Sequence, residues 1–146
     1  MPITVTAPAG CLTPAGEREI LPRLTATLLD AAGARGNPFL TSIVGGTVNI
    51  LDPEAVFAGG TNRPLLLIEL KLPAVALADS ESQAAFIENA THVAESLTSE
   101  GHRRDDIWIN ILHAQDGAWG LGGKAYSNNA LMAAAGAEAA DATGQH

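Results

Sequence analysis

Apolar and polar positions fall into the same succession twice along the chain. Residues 2–6, Pro2-Ile3-Thr4-Val5-Thr6, set Ile3 and Val5 on one side of an extended segment, the alternation of a half-buried strand. Pro8, Gly10 and Pro14 punctuate the turn that follows. Thr13 is a good helix cap with Pro14 at the first helical position. Ile20, Leu21, Leu24, Leu28 and Leu29 then recur at helical spacing. Pro22 sits inside that stripe and is expected to kink or split the helix. Gly33 and Gly36 end it, and Asn37-Pro38 reads as a breaker. Ile43, Val44, Val48, Ile50 and Leu51 predict a second strand over 41–51, with a bulge or bend at Gly45-Gly46.

The succession then repeats. Residues 64–70 form a strongly apolar strand, and Asp79 or Ser80 caps a second helix, with Ser80 and Gln83 at capping-box spacing. Phe86, Ile87, Ala90, Val93, Ala94 and Leu97 are its expected buried stripe, and Gly101 closes it. Residues 107–112 are the next strand, followed by the glycine-rich Trp119-Gly120-Leu121-Gly122-Gly123. Val48-Asn49-Ile50-Leu51 leading to Phe57 and Gly59-Gly60 parallels Ile109-Asn110-Ile111-Leu112 leading to Trp119 and Gly122-Gly123. The chain is therefore an α/β tandem β-α-β repeat, over about 2–60 and 64–124. Right-handed crossovers give a four-stranded core sheet with two helices on one face. The other face also carries apolar side chains and needs a cover, for which self-association is the simplest source. Residues 1–132 make one domain; the alanine-rich tail 133–146 shows no stripe and is read as a frayed helix or disordered.

Composition narrows the function classes. The 146 residues are 47% hydrophobic and 16% charged, enough for one globular core. A net charge of −8 argues against nucleic acid and against an anionic membrane surface. The lone Cys11 excludes an internal disulfide and a cysteine-rich zinc site. It has no histidine or lysine beside it in sequence, so nothing supports a reactive thiol. No apolar run reaches membrane-spanning length and no signal sequence is evident, so the expected location is cytoplasmic. Four scattered histidines, among them His113 near Asp116, lack ligand spacing, and no phosphate loop or dinucleotide fingerprint is present. No metal or cofactor is expected.

Pro2 stands apart chemically. Initiator methionine is usually removed when proline follows. Removal would leave Pro2 as a secondary amine at the tip of a strand, with a proton site that no internal proline has.

The proline at position two, the doubled β-α-β unit and the Trp108-Ile109-Asn110 strand before a glycine-rich aromatic hairpin together resemble the tautomerase superfamily. The similarity runs from residue 2 to about 128. It is greatest to the long-chain members: macrophage migration inhibitory factor, 5-carboxymethyl-2-hydroxymuconate isomerase, malonate semialdehyde decarboxylase and cis-3-chloroacrylate dehalogenase. The resemblance implies a barrel-like homotrimer, a cofactor-free site at each subunit interface, and Pro2 as the catalytic acid or base. Trp108 and Asn110 match pocket-lining positions, Arg35 falls near an active-site lysine, and residues 116–125, with Trp119, resemble the tryptophan-glycine motif of the decarboxylase-like branch.

The expected activity is a cofactor-independent tautomerisation of a small keto acid. An α-amino group starts near pKa 8 and is lowered by burial or a nearby cation, towards a working base. Ile3, Phe39, Trp108 and Trp119 are candidates for the apolar wall. Lys71, Arg35, Arg63 and Lys124, with the Asn110 amide, are candidate donors to an enolate or carboxylate. Repeat symmetry alone also explains the Asn49 and Asn110 pair, and Arg35 also suits a helix C-terminus. Where the decarboxylase and dehalogenase carry two arginines, the chain reads Leu70-Lys71-Leu72, and their aspartate and glutamate are absent near Asn37 and Leu121. Where the short tautomerases carry an arginine after the first strand, it reads Cys11-Leu12. Decarboxylation or hydration of a small acid is the second reading, and a non-catalytic cytokine-like trimer that binds a partner is the third.

Overall fold

The computed structural model describes residues 1–144. The order of elements is β1 (Pro2–Pro8), α1 (Pro14–Ala31), α2 (Pro38–Ser42), β2 (Gly45–Leu51), β3 (Phe57–Ala58), β4 (Thr61–Asn62), β5 (Leu66–Pro73), α3 (Ser80–Leu97), β6 (Ile107–Ala114), β7 (Trp119–Leu121), β8 (Lys124–Tyr126) and α4 (Asn128–Gly144). The four long strands form one sheet in the order β2-β1-β5-β6. β1 runs parallel to β2 and β5 parallel to β6, while β1 and β5 meet antiparallel at the centre. The two expected β-α-β units are thus joined back to back. Each ends in a small hairpin, β3–β4 or β7–β8, turned on a glycine pair with positive φ: Gly59-Gly60 and Gly122-Gly123.

Alternation along the strands decides where the core lies. Ile3, Val5 and Ala7 of β1 and Leu66, Ile68, Leu70 and Leu72 of β5 are buried on one face. Ile20, Leu24 and Leu28 of α1 and Phe86, Ala90 and Ala94 of α3 pack down on them. The opposite face carries Thr4 and Thr6, Leu67, Glu69 and Lys71, and Trp108, Asn110 and Leu112. Among the described residues no helix covers it, and Trp108 and Leu112 are 43% and 48% exposed on it.

Local chemistry accounts for the boundaries. Thr13 Oγ1 accepts from Gly16 N at 2.9 Å to start α1, and Asp79 Oδ1 accepts from Ser82 N at 2.8 Å to start α3. Gln83 makes no capping box: its side chain donates to Leu77 O instead. Ile87, expected in the stripe of α3, is largely exposed, and Thr91 takes a place on the buried side. Pro22 does not split α1, which continues to Ala31. The carbonyl that a proline leaves unbonded belongs to Arg18, on the exposed side of the helix, where water can serve it. Asn37-Pro38 begins a helix: Asn37 Oδ1 accepts from Leu40 N, Pro38 occupies the first position, and α2 replaces the first residues of the expected strand. Gly45 and Gly46 then lie within a regular β2, with no bulge in its pairing to β1. Glycine is required at 46 because a Cβ there would lie 2.0 Å from Ile3 O.

The alanine-rich segment is helical. α4 crosses position 132 without a break, starting where Asp116 Oδ1 accepts from Asn128 N. Among its described residues Leu131 and Ala135, one turn apart, are buried, and Asn37 Nδ2 donates to Ala135 O at 3.0 Å. These contacts help to hold a helix that has no apolar stripe. Residues 145 and 146 of the tail lie outside the described residues. Among those described, no helix is long and apolar enough to cross a membrane.

Candidate active site

Pro2 opens β1 on the uncovered face of the sheet, and its side chain is exposed. The antiparallel register pairs Ile3 with Leu70, so its next step sets Pro2 beside Lys71. β6 continues the row, with Leu112 opposite Lys71. The β7–β8 hairpin folds over this end and brings Trp119 in. The result is a cavity of about 440 Å³ lined by Pro2, Lys71, Leu112, His113, Trp119 and Leu121, with Met1 at its inner side.

The polar groups there are few. Lys71 Nζ lies 3.3 Å from Glu69 Oε1, and both side chains are half exposed, so the ammonium is available to an incoming anion. His113 is engaged, its Nε2 2.8 Å from Ala76 O. Trp119 Nε1–H is buried and, among the described residues, has no hydrogen-bond partner. A buried donor without a partner costs about 1–3 kcal/mol, which a ligand oxygen would offset.

Met1 is the unexpected member. It is 4% exposed and belongs to the main core. Its amine donates to Ile43 O, and burial pulls that amine from 8.0 down to about 6. With Met1 attached, the Pro2 nitrogen is a tertiary amide. Met1 also borders a second cavity of about 550 Å³, lined by the 32–37 turn and α4.

Pro2, Lys71 and Trp119 line one cavity. Arg35 borders the second cavity instead, with its guanidinium bound to the Asp30 carboxylate through Nε and Nη2. Trp108 and Asn110 lie on the uncovered sheet face, outside both cavities; Trp108 Nε1 donates to Asp105 O. Ile3 cannot be part of the wall, since the strand alternation turns it into the core on the opposite face from Pro2. Phe39 pairs with Tyr126 at 6.4 Å between ring centroids. Lys124 stacks on that same Tyr126 ring at 4.5 Å. Arg63 is held by the buried Asp106 carboxylate at 3.0 Å.

Folding also supplies a histidine to Cys11, 91 residues away: His102 Nδ1 lies 3.7 Å from Sγ. Its Nε2 is 3.2 Å from Asp106 O, a contact it makes as a donor, which leaves Nδ1 to accept from the thiol. Burial, and then the charge of Asp106, push the thiol up to about 11. Burial favours the protonated thiol, so the pair reads as a structural contact.

No family profile and no curated protein matches the sequence. Solved structures match strongly. Pt0534, crystallised after inactivation by 2-oxo-3-pentynoate, superposes with a TM-score of 0.72 at 17% identity, over 90% of this chain and 98% of its own. A wild-type fused 4-OT solved as a symmetric trimer gives 0.72 at 19% identity, over 89% and 98%. Macrophage migration inhibitory factor of Toxoplasma gondii gives 0.65 at 16% identity, over 86% and 100%. The fold is that of the tautomerase superfamily. In the tautomerase fold of this chain, the first strand carries Pro2 to the edge of a cavity, beside Lys71 and Trp119.

Proposed function

We propose that the chain is a cofactor-independent tautomerase of small keto acids, with Pro2 as its acid and base once Met1 has been removed. The observation that carries this reading is the cavity that joins Pro2 to Lys71 and Trp119. The neutral Pro2 amine takes the enol O–H proton. The C=C electron pair takes a proton from the resulting ammonium, and the carbonyl forms as the double bond shifts. Atoms and charge balance without a second reactant. Lys71 holds the carboxylate, and the Trp119 N–H supports the developing oxygen charge. The tautomerase-like unit spans residues 1–132, and α4 extends it.

The active form is a homotrimer. Supporting this are the uncovered face with Trp108, Asn110 and Leu112 and the trimers formed by the fused 4-OT proteins of this fold. Trp108 and Asn110, which lie outside both cavities of their own chain, would then serve a neighbouring subunit. Sedimentation should give three times the 15.0-kDa chain mass; a monomer would overturn this part.

Pro2→Ala is expected to lower turnover of a 2-hydroxymuconate at least tenfold, since lost acid–base catalysis typically costs about a hundredfold or more. An unchanged rate removes Pro2 from the mechanism. One observation favours a second reading, a non-catalytic binding protein: Met1 fits the core and closes the Pro2 nitrogen as an amide. The intact mass of the purified chain separates the two, since only loss of Met1 frees the amine.

A further inference from the structure

Among the residues bordering the two cavities, Met1 is the one that borders both. On one side lies the cation, Lys71, with Pro2 and Trp119. On the other lies a mostly apolar chamber walled by Leu40, Val75, Leu131, Met132 and Ala135. Its one guanidinium, Arg35, is committed to Asp30 in a two-point ion pair. Met1, which borders both, is buried, and removal of the first residue would take it away.

We propose that removal of Met1 joins the two cavities into one pocket, in which Lys71 holds a carboxylate and α4 encloses an apolar tail of the same ligand. This rests on the reading of Pro2 as a free amine. It adds a substrate class: a 2-oxo acid or its enol with an alkyl tail of several carbons, its carbonyl end at Pro2 and its tail against Leu131 and Ala135. It also gives the C-terminal helix a role as the wall that sets tail length. The cavities, about 440 and 550 Å³ apart from the space of Met1, are of ligand size.

Gly136 allows a clean test. It borders the apolar chamber, and a Cβ there meets nothing within 4 Å, so Gly136→Leu fills space without straining the backbone and favours the helix. Calorimetry with unreactive acids reads the pocket without needing turnover. Each buried methylene is worth roughly fourfold in affinity, so octanoate should bind the Met1-free chain at least tenfold tighter than butanoate. That preference should vanish in Gly136→Leu, and in protein purified with Met1 retained by blocking the aminopeptidase. Equal binding of the two acids, or a preference that survives in both altered proteins, overturns the joined pocket. Exchange of the C3 hydrogens of 2-oxo-octanoate for deuterium is measured separately. Chain-length preference without exchange leaves the pocket standing and overturns the catalytic reading, whereas exchange without preference does the reverse.

Discussion

Pro2 and Lys71 stand side by side at the end of the antiparallel β1–β5 ladder, one step beyond the Ile3–Leu70 pair, and line the same cavity. The proximity follows from register alone. Strand alternation fixes Ile3 and Leu70 in the core, so their outer neighbours must share the other face. Lys71→Met keeps the stem and removes the charge. A hydrogen bond to a charged group contributes about 1.5–3 kcal/mol, so kcat/KM for a keto acid should fall about ten- to a hundredfold, mainly through KM. The melting temperature should hold, because the exposed pair with Glu69 contributes little. Unchanged kinetics would take Lys71 out of the site.

Met1 gives a pH signature. Its amine titrates at about 6 in the fold and near 8.0 when exposed. Between those values the unfolded chain carries the extra proton, so stability of the Met1-containing protein should rise as pH goes from 6 to 8. The amine is only partly withdrawn from water, so the gain should stay below about 2 kcal/mol. Denaturant midpoints at pH 6 and pH 8 check the sign, and a fall over that interval would show that the amine is not held as described.

Arg63 and Asp106 tie the start of the second repeat to the approach to β6. The carboxylate is only 4% exposed while Arg63 is 42% exposed. The two ends of the pair are therefore unequal. Arg63→Met strands a buried charge and should cost about 3 kcal/mol. Asp106→Asn leaves an arginine that can turn to solvent, and should cost less. Urea unfolding of the two variants tests the order.

Glycines 46 and 136 should respond oppositely to alanine. At Gly46 the new Cβ would lie 2.0 Å from Ile3 O and 2.9 Å from Leu21 Cδ2, so β1 and β2 must separate. A loss of about 3 kcal/mol or more is expected, at the severe end for overpacking. At Gly136 nothing obstructs, and the gain in helix propensity should stabilise by up to about 1 kcal/mol. Thermal melts of the two variants decide it.

The sheet was legible because its signal is periodic. Ile3 and Val5, then Leu66, Ile68 and Leu70, declare their faces by alternation, and the second copy repeats the first. What was hidden depends on partners far away in sequence. Asn37-Pro38 reads equally as a breaker or a helix start, and the tether from Asn37 to Ala135, 98 residues on, belongs with the second. α4 shows no stripe because, among the described residues, it buries just Leu131 and Ala135. Pro22 is tolerated because the carbonyl it leaves unbonded faces water. In the site, Lys71 and Trp119 were visible as a strand-end cation and a hairpin aromatic. Ile3 was misassigned to the wall by proximity in sequence, against its own alternation. Pro2 marks Met1 as removable, but nothing local shows that Met1 is seated in the core.

The back-to-back pairing of two β-α-β units gives the sheet an approximate dyad between β1 and β5. That symmetry is geometric and cannot be chemical. β1 starts at the second residue of the chain, whereas β5 starts at Leu66, where the backbone is continuous on both sides. Whatever an α-amino group does at the first position has no counterpart at the second. Under the proposed role of Pro2, the repeat doubles the scaffold and not the reacting group, and one ligand per chain is expected.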